Sequence, residues 1–210
     1  MGLVNRREQR GVLIGIEAGQ RRNPSGICVT TAEQRTDTAG RAEIHFIVRM
    51  LEQLETGTTF LQLATRLGAI VASLRAQGHS YEPIAYVNAT GAGEPLNDLL
   101  RAQSATRVCS TFFNHGDRRQ VDSDRITLGK AHLVVRLQVL LQSGRLHFPR
   151  TTAAEQLAQE LLDYEIKIEA DANDRNGAFR VGQHDELVTA LGLAVQVDPP
   201  QPTRFKPGFF

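Results

Sequence analysis

The sequence predicts an α/β protein built on a mixed five-stranded sheet with helices on both faces. Two observations lead to this prediction. Three strand-like segments joined by short polar turns come first, and from residue 60 onward segments of helical periodicity alternate with short apolar strands. Successive strands with short connections pair antiparallel, whereas strands separated by helices pair parallel. We therefore expect a three-strand antiparallel meander followed by two parallel strands.

The three strands of the meander are indicated by composition and alternation. Residues 11–16 are an uninterrupted apolar run with a β-branched bias, which is typical of a central strand. Residues 27–34 follow an NPSG turn and form the second strand. In the third, 42–52, apolar side chains alternate with others from Ile44 to Arg49, so one face of this strand is apolar.

The period then changes to that of a helix. Residues 60–74 place seven apolar side chains on one helical face, a threonine can cap the start and Gly78 the end. Residues 83–91 and 106–113 are predicted as the fourth and fifth strands, with a polar loop after the fifth. The other predicted elements are helices at 94–103, 129–142, 153–164 and 184–195, a short extended piece at 144–149 and a loose hairpin at 166–182.

Composition limits the classes of function. Lys and Arg number 24 against 23 Asp and Glu, so any binding of nucleic acid requires a local basic surface. Cys28 and Cys109 lie in apolar strand-like segments, which predicts buried free thiols. No signal peptide and no apolar run of the ~20 residues that span a membrane is present, so we expect a soluble intracellular protein without a membrane partner. No phosphate-loop pattern occurs, and no nucleotide cofactor is expected.

The chain is predicted to contain one domain, residues 11–197. Residues 1–10 form a polar N-terminal arm, and residues 198–210 form a tail rich in Pro and Phe. The three Phe residues of the tail leave two alternatives open, a flexible end or a segment that docks on a partner or a neighbouring subunit.

Acidic and amide side chains mark the ends of predicted elements. Glu17 ends the first strand, Asn88 ends the fourth, and Asp185 and Glu186 open the last helix. If the first and fourth strands are adjacent, Glu17 and Asn88 lie side by side, and a helix packed across the sheet can bring Asp185 to the same place. Clustered carboxylates bind Mg²⁺ or Mn²⁺, and two such ions can promote phosphodiester hydrolysis.

Four stretches resemble the nuclease domain of phage terminase large subunits, which has a ribonuclease H-like fold. IGIEAGQRRNPSG is similar to the first motif of that family and YVNATGAGEPLNDLL to the second. GKAHLVVRLQVLLQSGRLHFP looks like the helix before the third motif, and QHDELVTALGLA is similar to that motif. The four occur in the family's order over about residues 11–197. The resemblance implies a ribonuclease H-like fold and a DNA endonuclease of viral DNA packaging, dependent on Mg²⁺ or Mn²⁺.

Two departures from the family pattern, in the first and second motifs, bear most on activity. The family's first-strand Asp is Glu17 here, and its second-strand Asp is Asn88, a neutral and poorer metal ligand. The third motif has Asp185 followed by Glu186 in place of a second Asp. The resemblance implies Glu17 and Asp185 as metal ligands and all four residues as the catalytic set, with Glu94 or Asp98 as alternative sources of charge. The departures predict weakened or lost cleavage.

The resemblance also implies partners. Double-stranded DNA is the expected partner, and Arg118, Arg119 and Lys130 are the candidate phosphate contacts, although a solvated loop explains the arginines equally well. Family members carry an ATPase motor before the nuclease, so an excised domain and a free-standing relative are both open, with the motor or another packaging protein as a partner. The expected location is the cytoplasm of a bacterial host of a phage or prophage. The alternative function is an inactive module that binds DNA or a partner.

Overall fold

The computed structural model describes residues 4–19, 23–78, 81–90, 93–104, 106–114, 118–171 and 185–199. They contain one mixed sheet of eight strands, in the order β6-β7-β5-β4-β1-β2-β3-β8. The strands are β1 Val4–Glu17, β2 Ser25–Asp37, β3 Ala42–Leu54, β4 Ile84–Asn88, β5 Arg107–Asn114, β6 Arg119–Asp122, β7 Arg125–Gly129 and β8 Leu146–His147. The helices are α1 Phe60–Ala76, α2 Gly93–Ser104, α3 Lys130–Gln142, α4 Thr152–Asp171 and α5 Glu186–Val195.

Strand pairing brings the carboxyl ends of β1 and β4 together. β1, β2 and β3 form the predicted antiparallel meander. β4 pairs parallel with β1, with Ile16 opposite Val87, and β5 pairs parallel with β4, with Asn88 opposite Thr111. Parallel strands end at the same edge of a sheet, so Glu17 and Asn88 emerge side by side there.

Each face of the sheet has its own apolar core. On one face, α1 and α2 cover a core that includes Ile14, Ile16 and Val87. On the other face, α3, α4 and α5 cover a core that includes Leu13 and Phe46. Helix α5 is apolar on nearly its whole circumference because it lies directly on the sheet and is covered by α3 and α4.

The contact of α5 with β1 and β2 is one of backbone against backbone. A Cβ on Gly15 would lie 1.8 Å from the carbonyl oxygen of Ala190, and a Cβ on Gly26 would lie 2.4 Å from that of Glu186. Gly26 pairs with Glu17 in the β1–β2 ladder. The first turn of α5 is therefore fixed above the end of β1, which brings Asp185 to the sheet edge where Glu17 and Asn88 lie.

All five predicted strands are present, and the α/β, ribonuclease H-like fold class is confirmed, but the sheet has eight strands. β6 and β7 form a hairpin in the predicted polar loop, and β8 lies within the predicted extended piece. β6 is polar because it is an edge strand with exposed or half-buried residues only. Such strands lack the apolar face on which sequence prediction depends.

Two predicted boundaries are corrected by the structure. β1 begins at Val4, so residues 4–10 of the predicted arm pair with β2. Helix α4 continues to Asp171, so the first part of the predicted 166–182 hairpin is helical. The alternating Ile residues of this segment are typical of a strand, but its Glu, Lys and Ala residues have a higher helix propensity. The rest of that hairpin and the tail from residue 200 lie outside the described residues.

Other features agree with the sequence. Cys28 and Cys109 are buried free thiols, as predicted. Thr59 caps α1 with a capping box to Gln62, and the chain turns at Gly78 with a positive φ of 72°. None of the helices in the described part of the chain is long and apolar enough to cross a membrane.

Candidate functional site

Glu17 and Asn88 are in direct contact at the carboxyl edge of the sheet. The Asn88 Nδ2 group donates to Glu17 Oε1 at 3.0 Å and to Oε2 at 2.8 Å. The turn after Glu17 is held by the Gly19 N–H, which donates to Ser25 Oγ at 2.9 Å. A side chain on Gly19 would not fit, since its Cβ would lie 2.2 Å from the carbonyl oxygens of Asn23 and Pro24.

The orientation of the Asn88 amide is fixed by a backbone donor. The Thr90 N–H donates to Asn88 Oδ1 at 2.9 Å. A backbone N–H cannot accept, so Oδ1 must face Thr90 and the NH₂ group must face Glu17. Thr90 is itself held by the Phe113 N–H, which donates to its Oγ1 at 2.8 Å. Asn88 therefore presents donors, not an acceptor, to Glu17.

A small cavity of about 200 Å³ opens at this pair. Asp185 and Lys130 also line it, so the structure brings together Glu17, Asn88 and Asp185, as the sequence predicts. The other residues that line the cavity are Thr90, Phe113, Leu133 and Thr189.

Asp185 is the N-cap residue of α5, but its carboxylate does not cap the helix. No side-chain capping bond is formed, although the Asp185 carbonyl accepts from the Thr189 N–H at 2.9 Å. The capping acceptor is Glu160 of α4, whose Oε2 accepts from the N–H groups of Leu187 at 3.0 Å and Val188 at 3.1 Å. Asp185 thus lines the cavity, while a different acid accepts from the N–H groups at the start of the helix, which have no partner within the helix.

Sequence reasoning missed Glu160. Its signal is weak, because an acid in the middle of an amphipathic helix is normally solvated, and only the packing of α4 against α5 shows its role.

Glu186 does not lie with the other predicted site residues. It is 3% exposed and does not line the cavity, and the Gln53 Nε2 group donates to its Oε2 at 3.5 Å.

Burial dominates the electrostatics of the site. Burial, together with the negative charges of Asp185 and Glu186, raises the pKa of Glu17 to about 8, although the Asn88 hydrogen bond and Lys130 oppose the rise. Burial also raises the pKa of Glu160 to about 7. Glu17 is thus mostly uncharged at neutral pH, because the cavity offers its carboxylate too little compensation.

The predicted phosphate contacts separate into two groups. Lys130 lines the cavity next to Glu17 and Asn88, which we call the acidic cavity. Arg118 is exposed, and its carbonyl oxygen accepts from the Gly129 N–H at 2.8 Å, so Arg118 lies beside the start of α3. Arg119 instead donates from Nε to Gln196 Oε1 at 3.1 Å, at the end of α5.

The two alternative sources of negative charge do not complete the site. Asp98 is ion-paired with Arg101 and does not line the cavity, and the side chain of Glu94 lies outside the described part of the chain.

The donor set does not fit a two-metal centre. Both Glu17 oxygens accept from the Asn88 NH₂ group, and the one Asn88 oxygen accepts from Thr90. Within the residues that the structure describes, no three His, Cys, Asp or Glu side chains are grouped so that they could hold a metal ion. A pair of divalent ions requires several anionic oxygens directed at them, and this cavity provides an amide donor at one of the required positions.

The sheet order and the helices on both faces define a ribonuclease H-like α/β protein. The chain is similar to the human cytomegalovirus terminase nuclease domain, with a TM-score of 0.51 and 12% identity over 89% of this chain and 82% of that chain. The manganese-soaked form of that domain matches with a TM-score of 0.44 and 11% identity over 87% and 81%. Thermus thermophilus RuvC matches with 0.39 and 12% over 88% and 91%. At 12% identity, the likeness to the first of these structures shows the fold alone.

No protein-family model and no curated protein sequence matches the chain.

The raised pKa of Glu17 makes its effect on stability depend on pH. Folding keeps Glu17 protonated while the unfolded chain ionises, so its contribution is complete below pH 4.5 and is lost as the pH rises to about 8. We expect Glu17→Gln to leave the free energy of unfolding unchanged near pH 4 and to raise it by up to roughly 5 kcal/mol above pH 8. Urea unfolding at both pH values measures this.

The matched control for this prediction is Glu55→Gln, because Glu55 is an exposed acid outside the cavity. Glu160 gives the wild type a similar trend with pH, so only the difference between variant and wild type is informative. An equal effect of Glu17→Gln at low and high pH would contradict a folded-state pKa above the unfolded one.

Proposed function

We propose that the chain is a double-stranded DNA-binding domain of nuclease-type fold that does not cleave DNA. One observation carries the proposal: Asn88 donates to both oxygens of Glu17 while its own oxygen accepts from Thr90. Metal-assisted phosphodiester hydrolysis requires carboxylate oxygens at such positions. The similarity in fold to a terminase nuclease domain supports DNA as the partner, with the ATPase motor of a packaging machine as a second partner.

Lys130 and Arg118 are the residues that we assign to the DNA phosphates. Lys130 is the first residue of α3 and lines the cavity. The Arg118 carbonyl oxygen accepts from the Gly129 N–H, so Arg118 lies at the same edge of the sheet as Lys130. Arg119 is directed away from them and is excluded from the interface.

The proposal is tested by incubating the protein with supercoiled plasmid and Mn²⁺ or Mg²⁺ and by measuring duplex binding at low salt. We expect intact plasmid and retained duplex. The double variant Arg118→Gln/Lys130→Gln should bind at least about tenfold more weakly and lower the salt dependence by roughly two phosphate contacts. Arg41→Gln, in the β2–β3 turn and paired with Asp37, is the matched control. Absence of duplex binding would refute the DNA-binding proposal.

A second candidate function is a weak metal-dependent endonuclease. The observation in its favour is that Glu17 and Asp185 line one cavity, as the resemblance to terminase nucleases requires of metal ligands. Plasmid cleavage by the wild type that disappears in Asp185→Ala would establish this candidate in place of the non-cleaving one. Cleavage that persists in Asp185→Ala would instead indicate a contaminating nuclease.

A further inference from the structure

A second and larger cavity, of about 540 Å³, lies at the opposite ends of the parallel strands. Leu13, Ile84 and Arg107 line it and pair with one another across β1, β4 and β5. Glu17 and Asn88 lie four residues further along β1 and β4, roughly 13 Å away at ~3.3 Å per residue. The two cavities are therefore separate sites.

Arg119 is the central polar group of this cavity. It is half-buried, and its Nε donates to Gln196 Oε1 at 3.1 Å. Gln196 is 2% exposed, and its own Nε2 donates to the Leu193 carbonyl oxygen at 3.2 Å, so the oxygen must face Arg119. This arrangement fixes the guanidinium through Nε, and within the described residues the Nη groups of Arg119, which lines the cavity, make no further hydrogen bond.

The charge of Arg119 lacks a carboxylate partner within the described chain. Burial lowers the pKa of the Arg119 guanidinium, which shows that its charged form is poorly solvated. The two acids on the rim are already engaged, since Asp198 pairs with Arg136 and Glu82 pairs with Arg75 at 2.8 Å. An anion that enters the cavity would supply the missing countercharge.

The surroundings of Arg119 determine what kind of anion fits. Arg10 and Arg107 also line the cavity, but Arg10 is ion-paired with Glu8 and Arg107 with Asp124, and buried Tyr86 adds a phenol. The guanidinium of Arg119 matches the geometry of a phosphomonoester, whose oxygens it can bind in a bidentate manner. The remaining lining is largely apolar and can contact an apolar group attached to the phosphate; it includes Leu13, Ile84, Val121, Ile126 and Val197.

We propose that this cavity binds a phosphomonoester joined to a flat apolar group, with Arg119 holding the phosphate through its two Nη groups. The volume lies within the range of small-molecule sites, and guanidinium binds phosphate in a bidentate manner. A free nucleoside monophosphate and the 5′-phosphorylated end of a DNA strand share this chemistry. The site goes beyond the DNA-binding surface at the other edge of the sheet and does not depend on it.

Calorimetric titration with dAMP, deoxyadenosine and inorganic phosphate tests the proposal on the full chain. We expect dAMP to bind at least about tenfold more tightly than deoxyadenosine, because a charge-assisted bidentate contact is lost with the phosphate. Arg119→Gln should weaken dAMP binding by about tenfold or more. Arg66→Gln is the matched control, since Arg66 lies on α1 at the other face of the sheet and pairs with Glu52.

A 5′-phosphorylated oligonucleotide and its 5′-hydroxyl form distinguish the two sources of the phosphate. Tighter binding of the phosphorylated strand than of its 5′-hydroxyl form assigns the site to a DNA end, because both strands can reach the proposed DNA surface equally. Equal binding of the two strands together with binding of dAMP assigns it to the free nucleotide. Thermal unfolding without ligand confirms that Arg119→Gln is folded. Absence of dAMP and 5′-phosphate binding by the wild type, or equal affinities of the wild type and Arg119→Gln, would overturn the proposal.

Discussion

Gly15→Ala is expected to destabilise the protein by more than about 4 kcal/mol, or to prevent folding, because it forces α5 away from the sheet. The added Cβ would lie 1.8 Å from the Ala190 carbonyl oxygen and 2.7 Å from the Ala194 nitrogen. Both are backbone atoms of a helix, so no side-chain rotation relieves the overlap. Loss of the α5 contact would expose Leu191 and its fully buried neighbours, which adds to the loss of stability.

Gly11→Ala is the matched control for this substitution. Gly11 lies on the same strand, and its Cβ would have its nearest neighbour at 3.5 Å, the Pro199 side chain, which is an ordinary contact. We expect a change of less than about 1 kcal/mol there. Urea unfolding followed by circular dichroism compares the two variants. A stability of Gly15→Ala close to that of Gly11→Ala would show that α5 does not lie on β1 as described.

The sequence predicts those elements whose burial is visible in their own residues. Strands β1 to β5 and the five helices all contain an apolar run or stripe. β6 was not predicted because Arg119–Asp122 has no buried residue, and β8 is only two residues long. β7 was missed although its Ile126 and Leu128 are buried at alternate positions, because the segment is short and follows a polar loop. A strand of this kind is stabilised by its neighbours in the sheet, and its own pattern carries little of that information.

The candidate site is partly predictable for the same reason. The contact between Glu17 and Asn88 follows from one assumption, that the first and fourth strands are parallel neighbours, and the structure confirms it. The direction of the Asn88 amide depends on the Thr90 N–H, and the cap by Glu160 depends on how α4 meets α5. Both require three-dimensional packing that a pattern along the chain does not contain. The catalytic and metal roles of these residues stay predictions.

Asn88→Asp is expected to make the free energy of unfolding of the protein depend on a metal ion bound between residues 17 and 88. One Asp oxygen retains the Thr90 N–H, and the other takes the place of Nδ2, about 3 Å from both Glu17 oxygens. Two carboxylates at this distance in a dry cavity repel each other unless they share a proton or a cation. In EDTA at pH 8 we expect a loss of roughly 2 kcal/mol relative to the wild type.

Manganese should reverse this loss in the variant and leave the wild type unchanged. An ion present at 100 times its dissociation constant stabilises the folded state by about 2.7 kcal/mol. For a chain of this length that corresponds to an increase in Tm of roughly 5–10 °C. Differential scanning calorimetry with Mn²⁺ and with EDTA measures both effects. The double variant Glu17→Asp/Asn88→Asp extends the test, because it restores both acids of the terminase pattern and should also nick plasmid.

Asn97→Asp provides the control for this last prediction. Asn97 is fully buried and donates to Ser110 Oγ at 2.7 Å, but it does not line the acidic cavity. Its replacement by Asp should therefore destabilise the protein without any recovery in Mn²⁺. An equal response of wild type and Asn88→Asp to Mn²⁺ would show that the Asn88 amide does not exclude the metal. The proposed lack of cleavage would then require a different cause, because binding of the ion and hydrolysis of the phosphodiester are separable requirements of the same cavity.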